Sequence, residues 1–274
     1  MPRPWHPTPL IHLPAAGHAG AAAMLVMRPE AWPEAVGTLV ANHGVLTAAG
    51  LWPRSRLLGP NWTRLPPQAA ARREIALTID DGPDPAVTPR VLDLLDHHGA
   101  RATFFLIGRE ARRHPLLARE IVRRGHAVEN HSETHRKHFS LFGPRALARE
   151  VGAAQASLAE VCGQTPRFFR APAGLRNPFP EPVLARHDLQ LAAWTRRAFD
   201  TRNGDASAVA ARLTRRLAAG DILLLHDGNA ARTAHGAPVI LDALPRVIAA
   251  CAAAGLTPVT LRAALSSNPP IDPT

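Results

Sequence analysis

Cysteine is scarce in this 274-residue chain: Cys162 and Cys251 are the only two, too few for a disulfide framework. Both fall within helical patterns, where an isolated cysteine reads as a small core residue. Lysine is scarcer still. Lys137 is the only lysine among 32 basic residues, so 31 are arginine, and against 22 acidic residues the formal charge is +10. Aromatic residues make up 5% and tyrosine is absent. The arginines are scattered, and no basic run is interleaved with aromatics as a nucleic-acid groove requires, which places nucleic-acid binding last among the functions considered. Arginine used throughout in place of lysine reads as a compositional habit, with attraction to an anionic bilayer as a lesser alternative. A convincing secretory signal is also lacking: Arg3 is followed by Pro4, Trp5 and His6, and no apolar core ends in a cleavage site.

Residues 1–73 differ in character from the rest. Met1 to Pro14 is rich in proline and reads as irregular. Ala15 to Met27 is apolar but short for a membrane span. Ala35 to Trp52 is of minimal spanning length, broken by Asn42, His43 and three glycines, with Arg54 and Arg56 directly after it. Two readings stand, a helical hairpin in or on the inner membrane through residues 15–53, or two helices packed on a catalytic domain. Length and flanking charge favour the membrane, and the arginines place the chain at its cytoplasmic face. A proline-containing linker then leads to residue 73.

From Glu74 onward, strand and helix signals alternate through about seven units, with glycine stops after the helices at Gly99, Gly125, Gly163, Gly220 and Gly255. Alternation of this kind implies a parallel sheet with helices outside. The division expected is a helical segment and linker over 1–73, a catalytic domain over 74–265 and a tail over 266–274.

The chemistry concentrates at strand ends. The apolar run Ile75 to Ile79 closes on Asp80-Asp81-Gly82-Pro83, and neighbouring carboxylates repel unless something holds them. A metal ion can hold Asp81 and leave Asp80 as a base. About fifty residues on, His131 and His135 are spaced to share one face of a helical turn. Asp81, His131 and His135 make a three-ligand set with positions left for water and substrate, as hydrolytic zinc sites have. Zn2+ suits these ligands best, with Co2+, Ni2+ and Mn2+ as alternatives. His138 is a lesser candidate for a fourth ligand, which would make the site structural.

These residues carry a resemblance. The sequence resembles the polysaccharide deacetylases, the NodB-homology family of metal-dependent carbohydrate esterases (carbohydrate esterase family 4). Its motifs correspond to Thr78-Ile79-Asp80-Asp81-Gly82-Pro83, to His131-Ser132-Glu133-Thr134-His135, to Arg170-Ala171-Pro172-Ala173-Gly174 with Ala173 where an aromatic is usual, and to Leu223-Leu224-Leu225-His226. A fourth motif survives in part as Asp200-Thr201-Arg202-Asn203. The resemblance spans roughly Glu74 to Leu265 and implies α/β architecture, an irregular (β/α)7 barrel, here with an N-terminal helical appendage. It implies Asp80 as general base paired with Arg170, His226 as general acid oriented by Asp200, and Leu223 and Leu225 as pocket wall. It implies sugar contacts at Pro172, Ala173 and Gly174, with the Ala173 N–H as an oxyanion donor and a sugar site opened by the missing aromatic. The expected activity is removal of N-acetyl groups from an amino-sugar glycan. The alternatives are deformylation or deacylation of a lipid-linked or small N-acyl sugar, and a non-catalytic glycan-binding barrel.

Overall fold

Ile75, Leu77 and Ile79 alternate with Ala76, Thr78 and Asp80, and the chain there is extended as strand β1 (Glu74–Asp80), buried from Ile75 onward. The computed structural model describes residues 2–266, so all but the first residue of the expected 266–274 tail lies outside the described residues. β1 is the centre of a wholly parallel sheet. With β2 (Ala102–Leu106), β3 (Ala127–Asn130), β4 (Phe168–Phe169), β5 (Gln190–Leu191), β6 (Arg196–Arg197) and β7 (Ile222–His226), the strand order is β5-β4-β3-β2-β1-β7-β6. The short β8 (Thr257–Val259) pairs with the start of β1. Among the described residues no ladder joins β5 to β6, so the sheet curls as a half-barrel, the irregular (β/α)7 form expected. All strand tips open on one side, where parallel barrels carry their sites.

The period of two decides which residues face inward. Ile75, Leu77, Ile79, Leu223 and Leu225 pack into the main core beneath the helices. Ala76, Phe105, Phe168, Ile222 and Leu224 form a second core on the concave side. Asp80 and His226 continue the concave series.

The N-terminal helices are α1 (Pro9–Met27) and α2 (Trp32–Leu51), and the expected irregular start gives way to helix already at Pro9. A short α3 (Pro67–Ala71) precedes β1. The barrel helices are α4 (Thr88–His97), α5 (Gly108–Arg113), α6 (Pro115–Arg123), α7 (Pro144–Cys162), α8 (Pro180–Arg186), α9 (Ala206–Thr214), α10 (Ile240–Ala253) and α11 (Leu261–Ser266). Gly163 ends α7 at φ 67°, a left-handed cap that glycine takes without strain. α5 carries little apolar periodicity and escaped the sequence reading. α9 ends at Thr214, well short of the expected stop at Gly220. There Arg216 takes φ 58°, and the Arg196 guanidinium binds the carbonyls of Arg215 and Arg216, turning the chain out of the helix.

Residues between α2 and β1 are stitched to the barrel. The Trp62 amide donates to the Leu191 carbonyl at 2.8 Å, and the Ala193 amide donates to the Trp62 carbonyl at 2.9 Å. At the root of the hairpin a Cβ on Gly50 would sit 2.0 Å from the Arg176 carbonyl oxygen, so only glycine permits that approach. The other root is held by Arg3, whose guanidinium pairs with the buried Glu181 carboxylate at 2.5 Å.

Candidate active site

The tip of β1 delivers two carboxylates to different places. Asp80 ends the strand in extended geometry, whereas Asp81 turns to φ 76°, which swings its side chain toward the loop after β3. That loop is not the helical turn the His spacing suggested. Ser132 and His135 take φ 64° and 49°, and the turn is tied by the Asn130 side chain accepting from the Ser132 amide at 2.9 Å and the Ser132 hydroxyl accepting from the His135 amide at 3.1 Å. The result still brings both imidazoles to Asp81: His131 Nε2 lies 3.2 Å and His135 Nε2 3.1 Å from Asp81 Oδ1.

The donor set fits a divalent cation. One ligand atom from each of Asp81, His131 and His135 lies within 4.8 Å of the others. His131 Nδ1 is 2.8 Å from the Arg170 carbonyl oxygen, which can only accept, so the ring proton is on Nδ1 and Nε2 offers a lone pair. Asp81 Oδ1 is buried with no hydrogen-bond donor. Burial pushes the Asp81 carboxyl up, and the positive charge that His131 first, then His226 and His135, would carry when protonated draws it down to about 2, the same pull a bound cation would supply. Burial first, and the neighbouring His131 second, shift His135 downward. An anionic oxygen facing imidazole lone pairs is an arrangement that a cation relieves. His138 stands apart from the cluster, stacked edge-on against Phe142.

Two buried ion pairs flank the cluster. Arg170, 1% exposed, donates from Nη1 to Asp80 Oδ1 at 2.6 Å and to the Thr78 hydroxyl at 2.9 Å, and its other nitrogens bind the carbonyls of Ala192 and Ala193. Its guanidinium lies 4.1 Å from the Phe105 ring centre. Asp80 keeps Oδ2 toward the cluster, 3.9 Å from His131 Nε2. Opposite, Asp200 is fully buried and accepts twice from His226, from Nδ1 at 2.9 Å and from the backbone amide at 2.8 Å. Burial lowers the imidazole's basicity, but the Asp200 hydrogen bond and charge override it, and the net shift is upward. With Nδ1 committed to Asp200, Nε2 is the atom left for chemistry.

A cavity of about 410 Å3 opens over these groups, and Asp80, Asp81, His131, His135 and His226 all line it. Ala173, at φ 55°, and Gly174 line it as well, whereas Pro172 is buried and does not. The expected wall residues Leu223 and Leu225 are a correction. Both are buried on the helix side, and Leu224 between them faces the cavity, because alternate residues of a strand point to opposite faces. The side expected to be open for want of an aromatic at Ala173 is occupied by Trp194: a Cβ on Gly174 would lie 2.3 Å from Trp194 Cη2. Trp194, Arg197 and Lys137 also line the wall and had no motif to announce them, whereas Arg202 lines it from within the partial fourth motif.

An Asp–His–His cluster between a held carboxylate and a held imidazole, at the strand tips of a parallel barrel, defines a hydrolase. The family described as polysaccharide deacetylase matches residues 68–192. A peptidoglycan-N-acetylglucosamine deacetylase of Bacillus cereus is 34% identical over 157 residues, covering 57% of this chain and 73% of the relative. A chitooligosaccharide deacetylase of Sinorhizobium fredii is 34% identical over 165 residues, 60% of this chain and 76% of its own. The structure of a family 4 carbohydrate esterase from Streptomyces lividans in complex with acetate superposes with a TM-score of 0.61 at 33% identity, covering 68% of this chain and 91% of that one. The chain belongs to the polysaccharide deacetylase family.

Proposed function

We propose that the protein removes the acyl group, acetyl in the first instance, from the nitrogen of an amino sugar in a glycan. The observation that carries this reading is the single cavity in which Asp80 Oδ2, the Asp81–His131–His135 cluster and His226 meet. Asp81, His131 and His135 would hold a divalent ion, most suitably zinc, which supplies Lewis-acid polarisation of the acyl carbonyl and acidification of water. Asp80 accepts the proton of the attacking water on Oδ2, while Arg170 fixes Oδ1. His226 donates from Nε2 to the departing nitrogen, with Asp200 orienting the ring and stabilising its cationic form. The carbon–nitrogen bond breaks, a carbon–oxygen bond forms, and acetate and a free amine leave. Trp194 and Leu224 shape the wall against which the sugar and acyl group rest. The test is acetate release from N-acetylated chitooligosaccharides by the purified chain, with and without chelator, alongside its metal content. No acetate from the metal-replete protein with any N-acetyl glycan would overturn it.

Residues 9–51 support a membrane-associated setting for this activity. α1 and α2 pack on each other, and α1 is the one described helix long and apolar enough to cross a membrane. Large apolar side chains face outward along the pair, with Val26 at 83%, Met27 at 80% and Val40 at 66% exposure. The charges, Arg28, Glu30 and Glu34, gather at the tip. Polar groups between the helices bind one another: the Asn42 side chain donates to the Pro14 carbonyl at 2.9 Å, and His18 reaches the same carbonyl at 2.7 Å. At about 1.5 Å per residue a helix of this length spans about 28 Å, close to the roughly 30 Å hydrocarbon layer. The hairpin thus fits a bilayer, with the barrel on the cytoplasmic side as Arg54 and Arg56 suggest. This setting favours lipid-linked or nascent N-acyl sugars as substrate. Full-length protein should pellet with membranes, and a chain beginning near Pro66 should not. A full-length chain soluble without detergent at both low and high salt would speak for helices that serve only the fold.

A further inference from the structure

Beside the catalytic cavity lies a second one of about 390 Å3, and the two share Trp194 and Arg197 as a common wall. The root of the hairpin, Trp52-Pro53-Arg54, lines this second cavity as well, as do Arg212 and Arg215. We infer that this cavity is a subsite for an oxyanion, a phosphate or carboxylate, carried by the substrate beyond the N-acyl sugar that is hydrolysed. The inference rests on the deacetylase reading and names the substrate class within it.

Arg54, Arg197, Arg212 and Arg215 line this cavity together with Arg196, and among the described residues no carboxylate side chain does. Elsewhere on the described surface arginines commonly meet acids, as Arg124 meets Asp93, Asp96 and Glu120. Of the arginines lining this cavity only Arg196 has such a partner among the described residues, Asp221, and its remaining nitrogens bind the carbonyls of Arg215 and Arg216. Arg196 is therefore spent on holding the backbone at Arg215 and Arg216. Arg197 is held without an acid: its guanidinium carbon lies 5.3 Å from the Trp194 ring centre and 4.9 Å from that of Phe199, and the guanidinium carbon of Arg212 lies 5.1 Å from the same Phe199 ring. Arg197 Nε is buried with no hydrogen-bond partner. Stacked guanidiniums are fixed in direction at little entropic cost and present forks that match phosphate and carboxylate oxygens. Like charges gathered in a cleft raise each other's energy and focus a field that a bound anion relieves. Since Arg197 belongs to both cavities, an anion here would sit one group away from the sugar at the metal cluster.

The experiment uses the full-length, metal-replete chain and three N-acetylated disaccharides: one neutral, one bearing a 1-pyrophosphate, one bearing a lactyl carboxylate. At low salt the kcat/KM ratio of at least one charged substrate to the neutral one should exceed about tenfold, and the charged substrate that shows it identifies the source of the anion. That ratio should fall about tenfold in Arg54→Ala with Arg212→Ala, mainly through KM, further in Arg212→Glu, and should shrink in high salt. Binding is read independently of turnover by titrating the charged disaccharides against the fluorescence of Trp52 and Trp194. The affinity for the preferred one should drop in the double variant. Ratios near one, or an affinity and ratio equal in wild type and double variant, would overturn the subsite while leaving the deacetylase reading intact. Absence of acetate from all three would sink that reading instead, and the fluorescence titration would still decide the subsite.

Discussion

Asp80 and His226 stand opposite each other in the parallel register of β1 and β7, and both side chains enter the same cavity. Each is anchored from behind by one buried partner of opposite charge, Asp80 by Arg170 at 2.6 Å and His226 by Asp200 at 2.9 Å. A carboxylate and an imidazole are thus fixed on neighbouring strands, with the cluster of Asp81, His131 and His135 alongside.

Asp80→Asn should retain the bound ion, since Asp81 and the two imidazoles form the cluster without it. Turnover should fall about 10²–10⁴-fold, the usual worth of a positioned proton-transfer group. Metal content by elemental analysis and kcat are measured on the same preparation. Loss of the metal from the Asp80→Asn variant would mean that Asp80 shares in coordination.

The alkaline limb of the pH profile should belong to His226. Burial alone would lower this imidazole, and the Asp200 hydrogen bond and charge reverse the sign, so it stays protonated above its ordinary range. A general acid works below its own pKa, so activity is lost as pH rises through it. Asp200→Asn removes the anion, lets burial dominate and should move that limb to lower pH. An unmoved limb in kcat/KM against pH would assign it to another group.

Leu224 and Leu223 are adjacent in sequence but should behave oppositely. Leu224→Ala enlarges the catalytic cavity and should raise N-propionyl over N-acetyl hydrolysis several-fold. Leu223→Ala leaves a hole under the helices and should cost about 2–5 kcal/mol of stability with little change in acyl preference. Chemical denaturation and paired acyl substrates separate the two.

His126, 4% exposed at the head of β3, is lowered to about 4 by burial first and by the nearby Arg101 second. It is neutral when folded and protonates near pH 6.5 when unfolded. A depressed native pKa stabilises the fold above the unfolded value and loses that contribution as pH falls toward the native one. Between about pH 7.5 and 5 this should cost the wild type on the order of 2 kcal/mol. His126→Gln should show a shallower loss in urea unfolding over the same interval. Equal slopes would remove His126 as the cause.

Much of this was written locally in the chain. The run from Ile75 into Asp80-Asp81-Gly82-Pro83 already marks a buried strand ending in two carboxylates. The glycine stops and alternating apolar runs give the parallel α/β order, because both depend on residues near one another in sequence. The His131–His135 spacing marked the pair that meets Asp81, although by a route other than the expected helical turn. Left-handed φ at Ser132 and His135 was not legible, since it is imposed by hydrogen bonds within the folded loop.

What tertiary structure decided is which face each residue shows and what comes beside it. The triple leucine of β7 reads the same at every position, and only the pairing with β1 assigns Leu224 to the cavity and Leu223 and Leu225 to the core. Trp194 and Arg197 flank or end two-residue strands too short to carry a pattern. They meet Arg54 and Arg212 because the segment after α2 pairs with Leu191 and Ala193 at the sheet's edge. Side-chain identity and spacing are properties of the chain, whereas convergence of residues far apart in sequence depends on sheet order and register, which arise only when the strands pair.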